Sequence, residues 1–333
     1  MKEKAKQLLL HKEKTVPILS FPSAQLLGIT VKELISSAAR QAEGMRTIVE
    51  RCPVGAALNM MDLSVEAEAF GAKIRVSDNE NPTVEKGILA DIADAASVTV
   101  PPVGAGRTGV YLEGVRLAKR QNADTPVFCG VIGPYSLAGR LFDMTGLMME
   151  CFDSPEEVKL LLEKCAAFIA AYVRAFQEAG ADGVILAEPA AGLLSPALAE
   201  EFSTPFVKEI FDAVNREDFV LCYHNCGRSA GDMTDSLAEL PADVFHFGNA
   251  VDLPKVLAAM PADRIVMGNV DPVLFRRGTP EEVRADVRRA YESCGAHENY
   301  MLSSGCDIPA ASHWSNIDAY FDEVTAIYGT GRH

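Results

Sequence analysis

Leu221-Cys222-Tyr223-His224-Asn225-Cys226-Gly227 follows directly on an apolar run that begins at Phe219, and Gly227-Arg228-Ser229 closes it. An apolar run with no polar alternation, ending in a glycine turn, reads as a strand buried on both faces. Working outward from it, similar runs recur at Pro126–Pro134, Asp182–Ala187, Val244–Phe247, Arg264–Met267 and Tyr300–Leu302. Val16–Leu19 and Lys73–Val76 have the same character nearer the start. Between them lie stretches with helical spacing: Val31–Cys52, Gly109–Gln121, Leu137–Met149 and Asn316–Tyr328. Ser154-Pro155-Glu156-Glu157 and Thr279-Pro280-Glu281-Glu282 place a cap, a proline and acids where a helix N-terminus favours them. Short apolar strands alternating with longer helices predict βαβ units and a parallel sheet. About eight such strands, with no linker or repeat between them, predict an α/β fold of the TIM (β/α)8 barrel type. One domain covers residues 1–333, with a short N-terminal helix over 1–15.

In such a barrel the functional residues lie at the C-terminal ends of the strands. Asp62, Glu188, His224, Cys226, Asn249, Asn269, Asp271, Cys306 and Asp307 all fall there. On a strand, side chains two apart share a face, so His224 and Cys226 point the same way. Cys306, in Ser303-Ser304-Gly305-Cys306-Asp307, follows another apolar run. One imidazole and two thiolates with a position left open form the catalytic rather than the structural zinc pattern. The competing reading is that these cysteines are small buried hydrophobes, as free cysteines usually are. The tandem Cys-x-x-Cys spacing of a structural zinc module is absent.

Composition excludes several function classes. A net charge of −15 argues against nucleic acid, whose phosphates need a basic surface. No apolar run approaches the ~18 residues that would span a membrane. The eight cysteines lie in a long chain that opens Met1-Lys2-Glu3-Lys4 without an apolar leader, which predicts reduced thiols and a cytoplasmic protein. Gly104-Ala105-Gly106-Arg107 is glycine-rich but lacks the strand–turn–helix context of a dinucleotide site.

Three segments together resemble the uroporphyrinogen decarboxylase superfamily: Met61-Asp62-Leu63-Ser64-Val65-Glu66-Ala67-Glu68-Ala69-Phe70-Gly71, His224-Asn225-Cys226-Gly227 and Gly305-Cys306-Asp307-Ile308-Pro309. Within it the chain is most similar to the corrinoid-dependent methyltransferases of the methylcobamide:coenzyme M type, over roughly residues 15–330. That resemblance implies a TIM barrel and a catalytic Zn2+ held by His224, Cys226 and Cys306. It implies a methylcorrinoid of the methylcobalamin type, carried by a separate partner protein, and a thiol acceptor such as coenzyme M. A small methyl donor, a folate acceptor or a tetrapyrrole decarboxylase remain alternatives. The decarboxylases carry an Arg-Gln-Ala-Gly-Arg segment that Arg40-Gln41-Ala42-Glu43-Gly44-Met45-Arg46 echoes, but Glu43 breaks it and the echo lies inside an amphipathic helix.

Glu188 and Asp62 are the candidate catalytic residues. Glu188 ends a strand and is either a displaceable fourth zinc ligand or a barrel-mouth acid bonded to nearby backbone. Asp62 either positions substrate or caps its helix. Asn249, Asp271 and Asp307 are candidate cofactor contacts, Asp307 also through a metal ligand. Arg107 is a candidate for an anionic substrate group. His246 reads as a core histidine, and Cys222 as a core residue turned away from His224.

Overall fold

The structure, a computed structural model, describes residues 1–122 and 124–329; position 123 and positions 330–333 of the expected domain lie outside the described residues. Nine strands are described: β1 (Ala57–Leu58), β2 (Lys73–Arg75), β3 (Thr83–Lys86), β4 (Val127–Ile132), β5 (Gly183–Ala187), β6 (Val220–Asn225), β7 (Val244–Phe247), β8 (Ile265–Val270) and β9 (Tyr300–Ser304). Seven of them form one parallel sheet in the order β1-β4-β5-β6-β7-β8-β9, with helices connecting neighbours. The expected α/β, TIM-barrel-like architecture is therefore present. Two of the expected strands behave differently. Lys73–Val76 does not join the sheet: β2 pairs antiparallel with β3 in a separate hairpin, and the short β1 takes the place in the sheet beside β4. Val16–Leu19 forms no ladder. Its Val16 carbonyl accepts from the Ser303 hydroxyl, and its Ile18 N–H donates to the Ser304 hydroxyl, so serine side chains stand in for strand pairing with β9. On the other side, Thr15 bridges Val54 and accepts from Gly55 N–H.

Two apolar clusters follow from the strand period of two. Leu221, Tyr223, Phe245 and Leu302 face outward into the layer between sheet and helices. That layer includes the 24-residue helix Pro155–Glu178, whose Phe168, Tyr172 and Phe176 stack in sequence. Phe128, Ile185, Cys222, Val244, Met267 and Met301 point inward and fill the space enclosed by the strands. Cys222 is thus core, as expected. It lies on the same inward side as His224, not the opposite one, because positions 222 and 224 are one full strand period apart.

The N-terminal helix, Glu3–Leu10, covers the N-terminal ends of the strands. Ala5 and Leu8 join the inner cluster. Lys2 pairs with Asp243 at 3.1 Å and Lys4 with Asp182 at 2.6 Å, two acids that immediately precede β7 and β5. This end is plugged, so access to the interior is from the C-terminal ends of the strands. No helix among the described residues is long and apolar enough to cross a membrane.

Candidate metal centre

His224 lies in β6 near its C-terminal end and Cys226 follows the strand's last residue, while Cys306 lies two residues beyond β9. Strand register sets their relation. Ala187 of β5 stands beside His224, and His224 beside His246 of β7. The potential ligand atoms of His224, Cys226 and Cys306 lie within 4.8 Å of one another. Cys306 Sγ is 3.6 Å from His224 Nε2. Tetrahedral zinc with a bond of about 2.05 Å to nitrogen and 2.3 Å to sulfur separates those two donors by about 3.6 Å. The set therefore fits the metal in type, and this pair fits it in spacing.

The histidine is oriented for this role. Its Nδ1 is 3.2 Å from the His246 carbonyl, which can only accept, so Nδ1 carries the hydrogen and Nε2 presents its lone pair to the cysteines. The His246 ring lies 4.6 Å from the His224 ring and is fully buried, with Nε2 donating to the Ser304 carbonyl at 2.5 Å. Burial, with His224 adjacent, holds His246 well below the ordinary histidine range, hence neutral. The two thiols share one proton more readily than they keep two. A hydrogen bond from Cys306 draws the Cys226 thiol down against its burial, with His224 assisting, and pushes the Cys306 thiol up. Gly227 fixes the loop after Cys226, since a Cβ there would lie 2.4 Å from the Gly192 Cα.

The three residues line one wall of a cavity of about 200 Å3, together with Asp62, Asn81, Pro82, Arg140, Pro189 and Asp307. Ile18, Met61 and Ala187 belong both to this lining and to the inner apolar cluster, so the floor of the cavity is the interior core. The β2–β3 hairpin carries Asn81 over the mouth, where its amide donates to Asp307 at 2.7 Å. The other Asp307 oxygen is buried without a partner. Burial, and then Asp62, push Asp307 well above the usual carboxylate range.

The remaining expected site residues separate. Asp62 is in the cavity wall but engaged: it accepts from Arg107, from Tyr111 at 2.7 Å and from the Ser64 hydroxyl at 2.6 Å. It does not act as a side-chain cap; Ser64 occupies the cap position of the helix Val65–Ala69. Arg107 is consumed by Asp62, by Glu68 at 2.6 Å and by Ser64 at 2.9 Å, so it does not offer a free cation to substrate. Glu188 is completely buried and lies outside the His/Cys/Cys group. Its two oxygens accept the Tyr135 and Ser136 N–H groups, at 2.9 and 2.7 Å, at the start of the helix Pro134–Leu141. Gly133 allows this, since a Cβ there would lie 2.4 Å from the carboxylate. Burial raises Glu188 to about 7 against the lowering effect of those bonds. Asp271 caps the helix Pro272–Arg277 through Val273 N–H, and Asn249 is exposed beyond β7; neither lines the cavity.

One charged residue of the lining was not anticipated. Arg140 is the only residue of the eight-residue helix Pro134–Leu141 that is not buried. It faces this cavity on one side and, with Pro189, an outer cavity of about 390 Å3 on the other. The signal was available: one arginine in Gly133-Pro134-Tyr135-Ser136-Leu137-Ala138-Gly139-Arg140-Leu141, otherwise apolar or small apart from a serine.

The sequence pattern of the family described as Uroporphyrinogen decarboxylase (URO-D) matches residues 18–327. The chain belongs to that family. It is 28% identical over 261 residues to the methylcobamide:CoM methyltransferase MtbA of Methanosarcina acetivorans, covering 77% of this chain and 75% of that protein. It is 25% identical over 289 residues to the uroporphyrinogen decarboxylase of Pseudomonas savastanoi pv. phaseolicola, covering 83% of this chain and 80% of that enzyme. In three dimensions it matches a methyltransferase from Methanosarcina mazei with a TM-score of 0.85 at 21% identity, over 98% of this chain and 100% of that one, which establishes the shared fold.

Proposed function

We propose that this protein is a zinc-dependent methyltransferase that moves a methyl group from a methylcorrinoid protein to a small thiol such as coenzyme M. The observation that carries this reading is the 3.6 Å spacing of Cys306 Sγ and His224 Nε2, with Cys226 beside them, facing a closed-bottomed cavity. The similarity to a protein named methylcobamide:CoM methyltransferase supports it and points to the thiol. A zinc ion held by His224, Cys226 and Cys306 would supply a Lewis acid that keeps a bound thiol deprotonated at neutral pH. The chain contributes orientation and exclusion of water. The His246 carbonyl fixes the His224 ring. Ile18, Met61 and Ala187 form a dry floor beneath the reacting sulfur. The methyl donor approaches from the mouth, because the N-terminal helix blocks the opposite end. We read Thr15–Ser20 as the eighth stave of a closed barrel, the whole chain as one domain, and the enzyme as cytoplasmic.

Tetrapyrrole decarboxylation is the second reading, since the family and some relatives carry that name. Two observations weigh against it. A cavity of about 200 Å3 lies below the ~300–1,000 Å3 usual for drug-sized ligands, and a tetrapyrrole is larger than those. The arginines of the decarboxylase-like echo face solvent, Arg40 paired with Glu43 and Arg46 with Glu50.

X-ray absorption at the zinc edge tests the proposal. The resting protein is expected to show about two sulfur neighbours, and the protein with a thiol acceptor about three, at roughly 2.3 Å. An unchanged sulfur count with every thiol offered would exclude methyl transfer to a thiol.

A further inference from the structure

We propose that Arg140 selects the methyl acceptor: its guanidinium binds an oxyanion, sulfonate or carboxylate, at the far end of a small thiol whose sulfur sits at the His224/Cys226/Cys306 centre. This rests on the thiol-acceptor reading above and adds the residue that reads the charge of the substrate.

Three observations converge. Arg140 lines the same cavity of about 200 Å3 as the three candidate ligands. It makes no hydrogen bond and no ion pair within 4 Å with any described residue, whereas Arg107, behind the Asp62 side of the wall, is bound by two carboxylates and a hydroxyl. It also stands on a rigid element, with the other seven residues of its helix buried and the start of that helix anchored on Glu188.

A guanidinium in this position without a partner is costly to desolvate, and a planar oxyanion is the group that matches its donors. The protein's own carboxylates do not meet that need. Asp62 acts on Arg140 from a distance but is already bonded to Arg107, Tyr111 and Ser64. Glu66 also acts at a distance; one of its oxygens accepts the Ile132 N–H and the other has no partner. Burial raises Glu66 to about 7, so it carries only part of a charge at neutral pH. Asp307, the other acid of the lining, accepts the Asn81 amide at 2.7 Å. Arg140 thus faces a cavity whose lining acids are engaged with other residues. The cavity's size limits the ligand to a short chain between its two ends.

Calorimetric titration of the zinc-loaded protein tests this. The probes are 2-mercaptoethanesulfonate, 3-mercaptopropionate, the neutral 2-mercaptoethanol, and ethanesulfonate, which has no thiol. The two anionic thiols are expected to bind about ten- to a hundredfold more tightly than the neutral one, the range of a charged hydrogen bond. Arg140→Gln is expected to erase that preference and the binding of ethanesulfonate, with zinc content unchanged, and Arg140→Lys to retain part of it. Equal affinities for neutral and anionic thiols in the wild type, or an undiminished preference in Arg140→Gln, would overturn the assignment. Should Arg140→Gln not fold, the graded loss in Arg140→Lys decides. Ethanesulfonate binding that depends on Arg140 without any thiol reaching the zinc would uphold the oxyanion site and sink the thiol-acceptor reading. Thiols that coordinate zinc with no charge preference would do the reverse.

Discussion

Replacing Glu188 distinguishes a structural acid from a metal ligand. In the structure its carboxylate is fully buried and receives the backbone N–H groups of Tyr135 and Ser136. The Ser136 hydroxyl lies with it and accepts the Ala190 N–H at 3.0 Å. Glu188→Ala strips two buried donors of their acceptor. Each unsatisfied donor costs about 1–3 kcal/mol, so the loss is about 2–6 kcal/mol. Unfolding entropy of about 2.1 cal/mol/K per residue over 333 residues gives about 0.7 kcal/mol/K. The melting temperature is then expected to fall by about 3–9 °C. Glu188→Gln keeps one acceptor and turns an NH2 toward the other donor, so its cost is about 1–3 kcal/mol, or roughly 1.5–4 °C. Differential scanning calorimetry reads the shift, and atomic emission on the same samples reads zinc. Zinc content is expected to match wild type in both variants. Loss of zinc from Glu188→Gln, or melting temperatures indistinguishable from wild type, would refute the anchoring role and restore Glu188 as a metal ligand.

Two further outcomes are expected. The purified protein should bind about one zinc per chain, and Cys306→Ala or His224→Ala should lose it while keeping the far-UV spectrum of the folded chain, since neither side chain belongs to the apolar clusters; full metal content in both variants would remove the assignment. Burial raises Glu66 and Glu188 to about 7 from the ordinary 4.5, so the folded state holds protons that the unfolded state has released. Their contribution to stability is therefore present below about pH 4.5 and lost as pH rises through about 7, a slope that Glu66→Gln with Glu188→Gln should flatten in melts between pH 5 and 8.

The sequence made the sheet strands legible wherever burial on both faces imposed an unbroken apolar run, as in β4, β5 and β6. It failed where pairing has no such signature. Ala57–Leu58 is two residues long, too short for any period to appear, and Lys73–Arg75 has strand-forming residues but pairs only with β3. The metal candidates were legible because a spacing of two on a strand is a geometric statement, and because the sheet's order places the end of β9 near that of β6 across the mouth. Their second partners were not. The acceptor for His224 Nδ1 is a backbone carbonyl at position 246, which carries no residue signature at all. Arg107 and Arg140 were separated only by structure, since nothing local to either marks which one finds carboxylates.

That last distinction bears on how the cavity works. Arg107 is neutralised by Asp62 and Glu68 and ties the helix Val65–Ala69 to the segment that opens the helix Thr108–Gln121; its charge is spent on holding the wall in place. Arg140 stands on a helix already fixed by Glu188, so its guanidinium does not have to hold the fold together. A site that must admit and release an anionic small molecule needs such a division, because a cation bound to a resident carboxylate would have to break that pair at every turnover. The buried acid at position 188 thus serves the cavity without touching it. It fixes the helix that presents Arg140, and the same helix bounds both this cavity and the outer one. On this reading Glu188→Ala should weaken anionic thiol binding through misplaced Arg140 while leaving the affinity for neutral thiols unchanged, an effect that a fourth ligand at position 188 would not produce.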